Sequence, residues 1–173
     1  MDKNNFRPAQ AARVLAALQA RYPQPHTHLH ADTAWQLLVA TVLAAQCTDA
    51  RVNLVTPHLF RRWPGPADLA EASQEDLEEV IRSTGFFRSK AKNLLGAARR
   101  VRDVYGGTVP ASLAELVTLP GVARKTANVV LFGAYGINEG LAVDTHVKRI
   151  SFRLGLTDAL DPVAVERDLM EVF

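Results

Sequence analysis

Apolar positions along this chain recur at three- and four-residue intervals, the spacing of a helix with one buried face. No stretch alternates with the two-residue period of a strand. Phe6 to Arg21 carries Val14, Leu15 and Leu18 on an alanine-rich background, which predicts a short amphipathic helix ended by Pro23 and Pro25. Thr33 to Ala45, with Trp35, Leu38, Val42 and Leu43, predicts a buried helix. A break at Gln46 to Asp49 follows, with Thr48 or Asp49 as N-cap of a helical stretch from Ala50 to Trp63 that Pro57 is expected to kink or divide. Beyond the turn Pro64-Gly65-Pro66, short helices are predicted at Ala67 to Ala72 and Gln74 to Arg82, then a basic helix ended by Gly106-Gly107. Ser112 to Val117 predicts a short helix broken by Pro120 and Gly121, and another helix runs from about Ala123 through Val129 and Val130 to Ala134. A helix starting at Thr145 continues through Val147, Ile150 and Leu154, and Asp161-Pro162 opens a last one reaching about Phe173. The pattern is that of an all-α protein.

The stretch Leu119-Pro120-Gly121-Val122-Ala123-Arg124-Lys125-Thr126-Ala127 has the form of a helix-hairpin-helix. Gly121 permits φ > 0, and the unpaired amides opening the second helix make an anion site suited to a nucleic acid phosphate. An ordinary Pro-Gly turn between packed helices would use the same residues. Lys125 falls in the first turn of that helix, where the macrodipole disfavours a cation and so favours the neutral, nucleophilic amine. A lysine there is also commonly a solvated chain or a phosphate contact. Nineteen residues on stands Asp144, within Val143-Asp144-Thr145-His146-Val147, either as the N-cap of the next helix or as a carboxylate that acts with the lysine. The helix would be roughly 18 Å long and the connection after it can extend roughly 30 Å, so the chain can bring Asp144 back to Lys125.

Composition narrows the picture. With 173 residues, 48% of them hydrophobic, the chain can bury a core in one or two small domains. A net charge of +2 and a pI near 8.9 permit nucleic acid binding without demanding it. The distribution is more telling: Pro66 to Glu79 holds six acidic residues and no basic one, whereas Arg82 to Arg102 holds Arg82, Arg88, Lys90, Lys92, Arg99, Arg100 and Arg102 and no acidic one. Such runs are usually solvated faces, yet the segregation could also give one side repelled by phosphate and one attracted to it, with Lys148, Arg149 and Arg153 as further candidate phosphate contacts. Cys47 is the sole cysteine, which excludes an intramolecular disulfide and a thiolate metal site and suits a reducing cytoplasm. His26, His28 and His30 alternate in a loop, as a metal cluster or as solvated side chains. The longest apolar stretch, Ala34 to Ala45, is too short to span a bilayer, and Met1 to Arg7 lacks the apolar core of a signal peptide.

Leu119 to Ala127, Val143 to Val147 and a third motif, Ala44-Ala45-Gln46-Cys47-Thr48-Asp49, resemble the endonuclease III branch of helix-hairpin-helix DNA glycosylases, and the similarity runs from about Val14 to the last residue. The resemblance implies a two-lobed fold: a central domain at residues 27–137 containing the hairpin at about 112–134, and a second lobe from residues 1–26 and 138–173, incomplete at its C-terminal end. It implies a monomeric, bifunctional DNA glycosylase and AP lyase that removes damaged, oxidised pyrimidines from duplex DNA in base excision repair. Lys125 would be the nucleophile and Asp144 its helper across a cleft, with Gln46 filling the gap left by an extruded nucleotide. Gly121, Val122, Ala123 and Arg124 would hold phosphate at the hairpin, and Arg88, Lys90 and Lys148 would add contacts. Two rivals remain: a mismatch adenine glycosylase, a branch that typically lacks the lysine, and a non-catalytic DNA-binding hairpin module, which needs neither Lys125 nor Asp144. The chain departs from the family at Ala123, where the hairpin usually has a second glycine. The family's four-cysteine [4Fe-4S] cluster has no ligands among these residues and is expected only if the parent chain continues past Phe173.

Overall fold

The computed structural model describes residues 3–25 and 27–173, with side chains from Arg7 onward. The described residues form ten α-helices and no strand: α1 Lys3–Arg21, α2 Ala34–Ala44, α3 Asp49–Arg62, α4 Pro66–Ala70, α5 Gln74–Ile81, α6 Phe87–Val104, α7 Leu113–Leu116, α8 Arg124–Tyr135, α9 Thr145–Arg153 and α10 Pro162–Met170. A 3-10 turn, Arg82–Thr84, links α5 to α6. The chain divides into two compact units, one of Thr27–Glu139 and one of Met1–His26 with Gly140–Phe173.

In the larger unit, hydroxyl residues set the helix starts. The side chains of Thr33, Thr48, Ser73 and Ser112 each accept from the backbone N–H three residues on, filling one donor the helix cannot use. Almost every apolar side chain of α2 is buried, and α2 packs on α3 and α8 at the centre of the core. The apolar stripe of α6, from Ala91 through Leu94, Leu95 and Ala98 to Val101, packs on α4 and α5. Of the kink or division expected at Pro57, the division does not occur: α3 runs through the proline as one helix. Burial of Val52, Val55, Thr56 and Leu59 on the core offsets the one backbone hydrogen bond that the proline removes.

The smaller unit has a modest core of Ala11, Val143, Leu156, Val165 and Leu169. Here α1 departs from its expected face: Ala11 is fully buried, while Leu15 and Leu18 stay 41% and 49% exposed. A small side chain is what allows a neighbouring element to approach α1 at that point. Asp161 caps α10, its Oδ2 accepting from the amides of Val163 and Ala164. Thr157 donates its hydroxyl to Asp168 at 2.6 Å, and Arg7 pairs with Asp158 at 2.6 Å.

Ion pairs join the acidic and basic segments. Arg102 pairs with Glu71, Arg62 with Asp76, and Arg88 approaches Glu78 at 3.9 Å. Packing α6 against α4 and α5 puts the basic run beside the acidic one, where Arg102–Glu71 and Arg88–Glu78 link the two. Of the three alternating histidines, His26 lies outside the described residues. The backbone of the other two is clamped by Asn53, which donates to the His28 carbonyl and accepts from the His30 amide. Among the described residues no His, Cys, Asp and Glu cluster could hold a metal ion, and no helix is long and apolar enough to cross a membrane.

Candidate functional site

The hairpin is built by backbone turns and by close approach to α6. After α7, the amides of Thr118, Leu119 and Val122 bond back to the carbonyls of Glu115, Leu116 and Leu119, and the buried side chains of Leu119 and Val122 anchor the turn. Gly121 has φ 79°, and a Cβ there would lie 2.7 Å from the Asn93 Cβ of α6. Conformation and space both require glycine. One turn along α6, a Cβ on Gly96 would lie 3.0 Å from Pro120 Cγ, so that glycine gives the proline room. Ala123, in contrast, has φ −83° and ψ 167°, an extended N-cap that any residue adopts, so the missing second glycine costs the backbone nothing.

The Ala123 N-cap of α8 makes no side-chain cap bond. Lys125 is the second residue of α8 and is exposed. Behind it, Ala127, Val130 and Leu131 are fully buried and fix the helix against the core.

Gln46 projects from the short link between α2 and α3, exposed and with φ 53°. Phe86 is the other described non-glycine residue with positive φ, at 47°, and is 68% exposed. The two turns are neighbours: a Cβ on Gly85 would lie 3.7 Å from the Gln46 carbonyl oxygen. Phe86 escaped the sequence reading. Its signal was the aromatic pair Phe86-Phe87 between two helices, of which one packs on the core and the other cannot.

Among the basic candidates, Arg88 has a side chain 81% exposed at the start of α6. Lys90 is a correction. Its residue is only 5% exposed, and its ammonium donates to the carbonyls of Leu43 at 2.8 Å and Thr84 at 2.6 Å, so it is not available to phosphate. Arg99 and Arg100 each donate an Nε–H, to the Ala70 carbonyl and the Thr118 hydroxyl, but stay exposed.

The smaller unit holds Asp144 and Lys148. Asp144 caps α9, its Oδ1 accepting from the amides of His146 at 2.9 Å and Val147 at 2.8 Å. Two charge-assisted bonds fix the carboxylate, and the cap leaves it partly exposed at the helix start. Lys148, one turn on, is partly exposed on the same helix.

The larger unit thus presents an exposed lysine in the first turn of the hairpin's second helix, and the smaller unit a capping carboxylate at the start of α9. Residues 39–173 match the HhH-GPD superfamily of base excision DNA repair proteins, and the chain belongs to that family. It is 56% identical over 163 residues to endonuclease III of Synechocystis sp., covering 94% of this chain and 74% of that protein. Against endonuclease III of Escherichia coli it is 37% identical over 164 residues, covering 95% and 77%. The solved structure of a trapped endonuclease III–DNA covalent intermediate superposes with a TM-score of 0.90 at 42% identity, over 96% of this chain and 78% of that one.

A [4Fe-4S] cluster needs four thiolates, and these residues offer one, Cys47, half-buried against the core between α2 and α3. The residues present do not fit the cluster.

Proposed function

We propose that Lys125 is the nucleophile and Asp144 its electrostatic partner in removing a damaged pyrimidine from duplex DNA. The chain is a base excision repair DNA glycosylase with AP lyase activity. The observation that carries the assignment is the exposed Lys125 amine in the uncapped first turn of α8.

A base within the stack cannot be attacked, so the nucleotide must first swing out, at a cost of a few kcal/mol that damage lowers. Gln46 enters the vacated space, and the neighbouring Phe86 ring offers an apolar surface to the unstacked base step. The amides of the hairpin and of α8's first turn hold a backbone phosphate, with Arg88 and Lys148 adding charge. The Lys125 amine attacks the sugar C1′, and the C1′–N bond to the base breaks with its electron pair leaving on the base. Ring opening then gives a Schiff base between Lys125 and C1′. Loss of a C2′ proton expels the 3′ phosphate by β-elimination, which cuts the strand. Asp144 stabilises the positive charge that develops at the sugar and the iminium nitrogen. A monomer suffices for each of these roles, and a cytoplasmic location would place the chain with its DNA.

Borohydride trapping on duplex containing an abasic site tests this. The chain should form a covalent adduct and Lys125→Gln should not, while both bind the duplex. An adduct formed by the Lys125→Gln protein would remove Lys125 from the mechanism.

A further inference from the structure

Lys90 is a buried cation that the chemistry leaves without a task, and its contacts converge on one place. Its ammonium donates to Leu43 O and Thr84 O, and its own backbone N–H donates to Phe86 O at 3.1 Å. One residue thus holds three carbonyls, two of them flanking the turn that carries Phe86 and one in the last turn of α2, three residues before Gln46.

Phe86 O takes the ordinary first bond of α6, but the other two carbonyls need a partner from outside their own element. The helix α2 stops at Ala44, and the Cys47 amide that a longer helix would give to Leu43 bonds instead to Ala44 O. Leu43 O is therefore an orphan at the negative end of the α2 dipole, where a cation is favoured. Thr84 O ends the 3-10 turn just before Gly85, whose φ is 69°. Burial pushes the Lys90 ammonium down from the ordinary lysine value, and nearby Cys47 offsets part of that. A cation kept in such a place is held by its bonds to both turns.

Those turns hold the described chain's two positive-φ residues that are not glycine, Gln46 and Phe86. Backbone of this kind persists only where the surroundings over-determine it. We propose that Lys90 is a positioning residue for nucleotide extrusion, a strut that locks the Gln46 turn to the Phe86 turn so that both side chains enter the duplex together. This rests on the roles given above to Gln46 and Phe86.

The test is Lys90→Met, which keeps the stem and removes the donors. In the free protein, amide exchange should accelerate at residues 45–48 and 85–87 and stay slow in α4 and α5. With duplexes carrying 2-aminopurine beside an abasic site, the preference for that site over undamaged DNA, and the fluorescence rise that reports extrusion, should each fall about tenfold or more. In a Gln46→Ala background the same substitution should cost much less, because its route of action is already gone. Leu69→Ala, a core change in α4, should lower the melting temperature and leave the preference intact. Unchanged exchange and preference in Lys90→Met, or an equal loss in both backgrounds, overturns the proposal. If Lys90→Met does not fold, Gly85→Ala replaces it: straining the fastened turn should show the same coupling to Gln46, and additive losses count against the strut. If the wild-type protein forms no borohydride adduct, the function reading fails instead, and the exchange pattern alone decides whether Lys90 locks the turns.

Discussion

Lys125 and Asp144 stand at helix starts in units of very different build. Lys125 belongs to the unit of Thr27–Glu139, where α2, α6 and α8 share a large apolar core and the hairpin is pressed onto α6 at Gly121 and Gly96. Asp144 belongs to the unit of residues up to 26 and from Gly140, whose core is small and whose Ile150, Phe152, Leu160 and Val163 are about half exposed or more. The nucleophile therefore sits on a turn fixed by non-local packing. The carboxylate accepts a local cap, from two amides within three residues. A reacting amine must be held within a fraction of an ångström of its target, whereas a charge that stabilises through space tolerates more freedom.

The sharpest way to break this comparison is at the two residues themselves. Lys125→Gln should abolish strand cleavage, a loss of about a thousandfold or more, with an unchanged melting temperature. Asp144→Asn should lower turnover about tenfold to a hundredfold and leave DNA binding nearly as it was, since asparagine still caps. If steady-state kinetics show equal losses, or none for Asp144, the division of roles is wrong.

Stability should separate the units next. Leu38→Ala, in the centre of the larger core, should cost about 3 to 4 kcal/mol and lower the main melting transition. Leu169→Ala should cost less, about 2 to 3 kcal/mol, and accelerate amide exchange in α9 and α10 well before α2 and α8. Uniform exchange across both units after either change would show that they do not differ in this way.

The hairpin offers a smaller contrast. Gly121→Ala should cost about 2 kcal/mol, because it adds a Cβ at φ 79° against Asn93, and should weaken DNA binding with it. Ala123→Gly should change denaturant midpoints by well under 1 kcal/mol, since its extended backbone needs no glycine. A large gain in affinity from that second change would mean that the amides need freedom the present turn lacks.

The smallest effect concerns pH. The Thr157 hydroxyl, then Arg167 and Arg7, hold the Asp168 carboxyl below the usual carboxylate range. Its folded value lies below the unfolded one, so its stabilising share is present above about pH 4 and is lost as pH falls through the lowered folded value. The more exposed Asp76, held low by Ser73 and Arg62 in the larger unit, should contribute less. Acid titrations followed by circular dichroism should then show a smaller stability loss below about pH 4 in Asp168→Asn, and little change in Asp76→Asn.

The sequence by itself determined the helices, their caps and the hairpin. Most of those features rest on interactions within one turn, a hydroxyl three residues before the amide it caps or a glycine in a left-handed turn; the hairpin also needs α6 behind Gly121. Thr33, Thr48, Ser112, Asp144 and Asp161 are legible for that reason, and so is the place of Lys125 in the first turn of α8. Tertiary structure decided which similar side chains face out. Lys90 and Arg88 are two residues apart in one basic run, yet one is buried under the Gln46 turn and the other exposed. Ala11 was core where Leu15 and Leu18 were not, and Phe86 turned outward while Phe87 packed in. Each choice depends on elements tens of residues away, such as the Leu43 carbonyl that lies 47 positions from Lys90. A local pattern of polarity carries no information about which distant carbonyl will be left without a partner, and that vacancy is what drew the lysine inside.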